Sequence, residues 1–159
     1  MKNVFSLLAA TLLLLACGRQ TQEDGSVTVD FKHSGCGRTE AVKADGPGNE
    51  QPELTLEYKD GSLLMTRTNA LLNCSINQGG ITCDVTLADG VIHYKAFETD
   101  GATLKCLCPV KSMTTLVGGL RENTEYVLDY TCDGSYRPIT FYYAKGLKIT
   151  LDLNLYKEE

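Results

Sequence analysis

Residues 147–155 read Leu-Lys-Ile-Thr-Leu-Asp-Leu-Asn-Leu, and this stretch indicates the fold class. Its apolar side chains occupy every second position, with polar side chains between them. A period of two places the apolar residues on one face of a β-strand and the polar residues on the other. We therefore predict a strand here with one buried and one solvated side, the buried side holding Leu147, Ile149, Leu151, Leu153 and Leu155.

The same alternation recurs along the chain, separated by Asp-Gly and Gly-Gly pairs that favour tight turns. Shorter apolar runs at 63–65 and 91–94 also fit strands, residues 33–52 fit a long loop, and no helical periodicity follows residue 17. The predicted buried faces are Leu54, Leu56 and Tyr58; Ile81, Cys83, Val85 and Leu87; Tyr126, Leu128, Tyr130 and Cys132; and Ile139, Phe141 and Tyr143.

Many short strands at this spacing predict a single all-β domain over residues 27–159, built as an antiparallel β-sandwich or as a small β-barrel. Within it, Leu120, Thr124 and Tyr126 have the spacing of a fibronectin type III signature, which this stretch resembles. The resemblance implies an immunoglobulin-like sandwich in which Leu120 and Tyr126 fill the core and the Tyr126 hydroxyl bonds to the backbone, a tyrosine corner. The chain departs from the pattern with Glu122 in place of a proline and with no tryptophan.

The N-terminus has the form of an export signal. Lys2 is a short basic region, and the apolar run from Val4 to Ala16 is too short to span a bilayer. The following Leu14-Leu15-Ala16-Cys17 resembles the lipobox of bacterial lipoprotein precursors. That resemblance implies a signal peptide over residues 1–16, cleavage before Cys17, and lipid (palmitate among the acyl groups) on the Cys17 sulfur. Cys17 would then anchor the protein to a membrane.

Residues 17–26 are polar and predict a flexible tether between the lipid and the domain. The acidic cluster at residues 22–24 resembles the surface-export signal of Bacteroidetes-type lipoproteins, although a merely solvated linker has the same composition. The localisation implied is the cell envelope, at the outer membrane, on a face that the sequence leaves open. Asn73-Cys74, Cys106-x-Cys108 and Gly119-Leu120 extend the resemblance to small Bacteroidetes-type lipoproteins, which brings no known activity with it.

The chain has 159 residues, a net charge of −5 and seven cysteines. The acidic balance argues against nucleic-acid binding. Once Cys17 is assigned to lipid, an even number remains for disulfides in an oxidising compartment. The candidates are Cys36, Cys74, Cys83, Cys106, Cys108 and Cys132. Cys74 and Cys83 flank the Gly79-Gly80 turn, which favours a bridge between them. Cys106 and Cys108 are too close in sequence to bridge each other comfortably. Each of them therefore needs another partner, and Cys132 and Cys36 are the candidates.

Buried free thiols and a metal site are the alternatives for these cysteines. The Cys106-x-Cys108 spacing fits neither zinc ligation nor a redox motif well, and His93 is more often structural as a lone strand histidine. Asp129 and Asp133, the nearest pair of loop-ward acids, are expected to be solvated rather than calcium ligands. We therefore predict no metal and no cofactor.

No nucleophile motif, phosphate-binding loop or dinucleotide motif is present, so an enzyme is not expected. Tyrosines near the last hairpin give the remaining functional signal, because an exposed tyrosine suits a glycan- or protein-binding surface, here Tyr136, Tyr142 and Tyr143. Ordinary sheet packing is the competing interpretation. The sequence thus predicts a membrane-anchored lipoprotein with a binding or structural role and an envelope protein or glycan as partner. The alternative is a lipocalin-like barrel that binds a small apolar ligand.

Overall fold

The structure is a computed structural model that describes residues 26–35, 51–74, 80–99 and 107–158. The residues in these four ranges form nine strands and one 3-10 helix. They are β1 (Thr28–His33), β2 (Glu53–Lys59), β3 (Ser62–Asn73), β4 (Ile81–Ala88), β5 (Val91–Glu98), β6 (Leu107–Gly118), β7 (Thr124–Thr131), β8 (Ile139–Tyr143), β9 (Lys148–Asp152) and the 3-10 helix Leu153–Leu155.

The strands form two open sheets. The five-stranded sheet has the order β1-β6-β3-β2-β9, and the four-stranded sheet has the order β4-β5-β7-β8. The all-β sandwich class is therefore confirmed. The small barrel is wrong, because neither sheet closes on itself.

One pairing departs from the predicted antiparallel arrangement. In the four-stranded sheet β5 and β7 run parallel, with His93 opposite Asp129 and Tyr94 opposite Tyr130. A parallel pair needs a long crossover connection. Here β6 supplies it, because the chain crosses to the other sheet between β5 and β7.

The core lies between the sheets and is built from the predicted alternating faces. Leu54, Leu56 and Leu63 of the five-stranded sheet pack in one cluster with Ile92 and Leu128 of the four-stranded sheet. All five side chains are fully buried, at 0% exposure. The burial of each contributes about 1.5–3 kcal/mol to the stability of the fold. Leu87 of β4 and Ile139, Phe141 and Tyr143 of β8 are buried in the same cluster, so the predicted inner faces of β2, β4, β7 and β8 are confirmed.

The C-terminal strand is shorter than predicted. β9 ends at Asp152, whose side chain accepts a hydrogen bond from the Asn154 backbone N–H and so caps a 3-10 helix. The turn of this helix breaks the period of two, so Leu153 is buried whereas Leu155 is 67% exposed. The alternation of the sequence continues here for three residues, Leu153 to Leu155, after the strand has ended.

The longest strands, β3 and β6, change their buried face together. On β3 the buried positions are Leu63, Met65 and Arg67 and then Ala70 and Leu72. Asn69, at a φ of 55°, supplies the switch, because a residue in the left-handed region interrupts the pleat. On β6 the buried side changes between Val110 and Met113, opposite the same point.

This double switch creates a second, smaller core. Ala70, Leu72, Cys108 and Val110 pack with Ile81 and Met113 beyond the main cluster.

Neither β6 nor β1 is among the strands that the sequence predicted. The face change in β6 hides its alternation, and β1 has only one residue that is not largely exposed. Most of the predicted loop at 33–52 lies outside the described residues, and His33 belongs to β1.

Candidate functional site

The outer face of the four-stranded sheet gathers polar side chains from neighbouring strands. Thr86 of β4 lies opposite His93 of β5, and His93 lies opposite Asp129 of β7, so the three residues form one row across the sheet. The next row pairs Asp84 with Lys95. Because alternate residues of a strand share a face, these side chains stand together on the solvent side.

His93 and Asp129 make a direct contact on this face. The distance from His93 Nδ1 to Asp129 Oδ2 is 2.9 Å, and both side chains are about half exposed, at 49% and 50%. With the proton on Nδ1, the ring donates to the carboxylate and leaves Nε2 as an acceptor. Asp129 therefore orients the imidazole, and the free edge of the ring and the second carboxylate oxygen remain open to a ligand.

The row lines a shallow depression of about 240 Å³. Its walls come from β4, β5 and β7 and consist of Asp84, Thr86, His93, Tyr94, Lys95, Asp129 and Thr131. Among the described residues no hydrogen bond joins Thr86 to His93, and both are exposed. The arrangement thus provides hydrogen-bond donors and acceptors for a polar ligand, not a desolvated nucleophile with a base.

The three candidate tyrosines do not form one surface. Tyr142 is 56% exposed on the outer face of β8, whereas Tyr143 and Tyr136 are buried, at 0% and 5%. Adjacent residues of a strand point to opposite faces, and Tyr143 takes the inner side beside Phe141. The predicted surface of Tyr136, Tyr142 and Tyr143 is therefore wrong for two of its members, and Tyr142 alone faces solvent.

Tyr136 belongs instead to a buried polar network around Arg67. The Arg67 guanidinium is 2% exposed and pairs with Asp133 at 2.8 Å. The Tyr136 hydroxyl donates to the other carboxylate oxygen of Asp133 at 2.6 Å, and the Leu71 N–H donates to Asp133 at 3.0 Å. Asp133 thus ties β3 to the segment after β7, so the expectation that it is solvated is wrong.

A column of tyrosine rings continues this network between the sheets. Tyr94 and Tyr130 stack with centroids 4.9 Å apart, and Tyr136 lies 5.6 Å from Tyr130. The Tyr94 hydroxyl bonds to Thr115 of β6 across the interface at 3.1 Å. Burial raises the pKa of Tyr94, Tyr130 and Tyr136 above their ordinary values, so these hydroxyls stay neutral. The three tyrosine rings fill the space between the two sheets, so their role is structural.

The sequence contained a signal for this network that the prediction missed. Arg67 occupies a position in β3 where the period of two, after Leu63 and Met65, calls for an apolar residue. A charged residue at such a position requires a buried partner. Its partner is 66 residues away, and only the fold brings the two together.

Two of the predicted disulfide cysteines have free thiols. Cys83 and Cys132 are both partly buried and neither is in a disulfide, so the bridge from Cys74 to Cys83 is wrong. Cys83 lies opposite Ala96 of β5, and β7 flanks the other side of that strand, so Cys83 and Cys132 are about two strand spacings, or ~9–10 Å, apart. Cα atoms more than about 7 Å apart cannot be bridged without backbone movement.

Burial controls the chemistry of these two thiols. It raises the pKa of Cys132 to about 12, with a smaller contribution in the same direction from Asp133. Burial also raises the pKa of Cys83, although a hydrogen bond with Thr115 opposes the shift. Cys74 and Cys108, which the structure also describes, are not among the free thiols. Cys17, Cys36 and Cys106 lie outside the described residues.

A second depression, of about 380 Å³, lies beside the C-terminal 3-10 helix and is lined by Arg137, Pro138, Leu155 and Tyr156. The Arg137 guanidinium donates to the Leu155 carbonyl. This arginine therefore supports the chain end, and the outer face of the four-stranded sheet is the better candidate site. Within the part of the chain that the structure describes, no group of three His, Cys, Asp or Glu residues can hold a metal ion.

The described residues also contain no helix that is long and apolar enough to cross a membrane. Comparison of this chain with protein-family models, with curated proteins and with solved structures finds no significant match.

Proposed function

We propose that this protein is a lipid-anchored lipoprotein of a bacterial cell envelope, with its binding surface on the outer face of the four-stranded sheet. The anchor proposal rests on the sequence of residues 1–17, which has a basic start, an apolar run and a lipobox ending in Cys17. The binding proposal rests on one observation, the half-exposed His93–Asp129 pair set in a row of polar side chains.

Binding fits this face better than catalysis does. A histidine that activates a side-chain nucleophile needs that nucleophile within hydrogen-bond reach, in a site that excludes water. His93 instead stands in an open depression with threonine and charged neighbours. These groups can recognise a polar ligand without changing it.

Two features of the domain belong to the same proposal. We place the sandwich among immunoglobulin-like domains, and the hydrogen bond from the Arg121 N–H to the Tyr126 hydroxyl, at 2.9 Å, supports this. The parallel pair of β5 and β7 is a departure from the usual topology. We also propose that disulfides among Cys36, Cys74, Cys106 and Cys108 stabilise the domain, supported by the contrast of Cys74 and Cys108 with the free thiols.

The binding proposal is tested with a photoreactive amino acid placed at Thr140 in intact cells. Thr140 is an exposed residue of β8, on the outer face that carries Tyr142. Thr150 is the matched control, because it is an exposed threonine in the short edge strand of the other sheet. We expect a crosslinked product from position 140 and none from position 150. Equal labelling at both positions, or no product from position 140, would contradict the proposal.

A further inference from the structure

We propose that the outer face of the four-stranded sheet binds a neutral oligosaccharide, with Tyr142 as the stacking platform and the His93–Asp129 pair as the hydrogen-bonding end. This inference rests on the proposed binding function and names its ligand class. It follows from the positions of these side chains, from the chemistry that they offer and from the charge of the face.

The two ends of the proposed site lie on one continuous surface. Tyr142 is opposite Glu125 of β7, and Asp129 is four residues further along the same strand. At about 3.3 Å per residue the two rows are ~13 Å apart. Val127 and Thr140 form the row between them, and neither is large enough to divide the surface. The surface is therefore longer than a single sugar ring and suits a chain of several.

The chemistry of the two ends matches a sugar chain. A tyrosine ring that is 56% exposed offers an apolar face for the C–H groups of a pyranose, and its hydroxyl remains polar. At the other end Asp129 and Asp84 are carboxylates that accept hydrogen bonds from hydroxyl groups, and Lys95 is a donor. Charge-assisted hydrogen bonds of this kind are stronger than neutral ones.

The charge of the surface favours a neutral chain over an acidic polymer. With His93 neutral, the described strands of this face carry three negative side chains and one positive side chain, namely Asp84, Asp129 and Glu125 against Lys95. The whole chain carries a net charge of −5. An anionic glycan would meet like charges here. A protein partner is also less suited, because protein interfaces have an apolar centre that is poor in charge. Among the described residues of this face, Tyr142 is the one large hydrophobic side chain that is strongly exposed.

The test is the binding of the full chain, purified in detergent, to a microarray of neutral and acidic oligosaccharides. We expect neutral oligosaccharides to be retained in preference to acidic ones. Titration calorimetry with the best neutral oligosaccharide should show affinity about tenfold weaker after Tyr142→Ala. Asp129→Asn should weaken binding by at least about tenfold, because it removes a charged acceptor.

Asp30→Asn is the matched control, since Asp30 is also a half-exposed aspartate, paired with Lys32 on the other sheet. This variant should bind like the unchanged protein. Preference for acidic oligosaccharides, or unchanged binding in the Tyr142 and Asp129 variants, would overturn the inference. If position 140 crosslinks to a protein while no neutral oligosaccharide binds, the inference fails and the proposed binding function stands. If neither is observed, both fail.

Discussion

Tyr126 connects a surface turn to the core through one side chain. Its side chain is only 1% exposed, and its ring packs against Phe141 and Tyr143. Its hydroxyl accepts a hydrogen bond from the N–H of Arg121, five residues earlier. The spacing of Leu120 and Tyr126 predicted this tyrosine corner, and the structure confirms the hydrogen bond. Local motifs of this kind are readable because both partners lie within one short stretch of sequence.

Replacing Tyr126 by phenylalanine should therefore destabilise the domain modestly. The ring and its packing are kept, and the hydrogen bond from the Arg121 N–H is lost. We expect the free energy of unfolding to fall by about 0.5–1.5 kcal/mol in chemical denaturation. Tyr142→Phe, on the exposed side of β8, should leave the unfolding midpoint unchanged. A larger effect at Tyr142 than at Tyr126 would contradict this assignment.

The buried Arg67–Asp133 pair should be far more sensitive. Asp133→Asn keeps the shape of the side chain but leaves the Arg67 charge without a counterion in a site that is 2% exposed. Breaking such a pair costs about 3–5 kcal/mol. Denaturant unfolding measures the loss, and the double variant with Arg67→Met should lose less than the sum of the two single variants. Additive losses would mean that the two side chains are not coupled.

The thiols give a prediction about pH. Burial raises the pKa of Cys132 in the folded protein from 9.0 to about 12, so folding favours the protonated thiol. The stabilisation is complete below pH 9 and is lost as pH rises from about 9 to 12. We expect the free energy of unfolding to decline over this range, and less steeply in Cys132→Ala. An unchanged slope in that variant would show that Cys132 does not contribute.

At the scale of elements, Asn69 marks the point where β3 changes its buried face, opposite the change in β6. Before it β3 buries Met65 and Arg67, and after it the strand buries Ala70 and Leu72. Without the switch, the second half of the strand would turn Leu71 and Asn73 inward, since a slip of one residue exchanges the two faces. The positive φ of one residue therefore makes the smaller core possible.

Substitutions at Asn69 test this conclusion. Asn69→Val should destabilise the domain by about 1–3 kcal/mol, because a β-branched residue is strained at a φ of 55°. Asn69→Gly should be tolerated, since glycine adopts this conformation without steric cost. Thermal unfolding compares the two variants. Equal melting temperatures for the valine and glycine variants would show that the backbone conformation is not required.

At the scale of the whole molecule, the outer face of the four-stranded sheet lies on the solvent side of the sandwich. The interior is filled by packed leucine side chains and the column of Tyr94, Tyr130 and Tyr136. The surface proposed for binding faces away from that interior. A lipid anchor at Cys17 with a polar tether would hold this surface near a membrane and leave it accessible.

The anchor makes a prediction of its own. Cys17→Ser removes the thiol that lipid attachment requires, so the variant should incorporate no labelled palmitate and should leave the membrane fraction. Cell fractionation with metabolic labelling measures both results. Ser6→Ala, in the apolar run of the same N-terminal segment, is a control that should keep the label. Labelled Cys17→Ser protein would refute the anchor.

The sequence by itself determined the local features of this protein. A period of two identified the buried faces of β2, β4, β7 and β8, and a short motif identified the tyrosine corner. Each depends on neighbours along the chain, so each is visible in a window of about ten residues. The same reasoning failed for β6, because its buried side chains change from even positions (Cys108, Val110) to odd positions (Met113, Thr115) and no single period of two covers the strand.

The tertiary structure alone decided which distant residues meet. It paired Arg67 with Asp133, placed His93 beside Asp129, and kept Cys83 and Cys132 two strands apart. These contacts follow from the order of strands in each sheet and from the parallel register of β5 and β7. Strand order is set by packing across the whole core, and no local pattern encodes it. The candidate site therefore became visible only when two solvated strands were placed side by side.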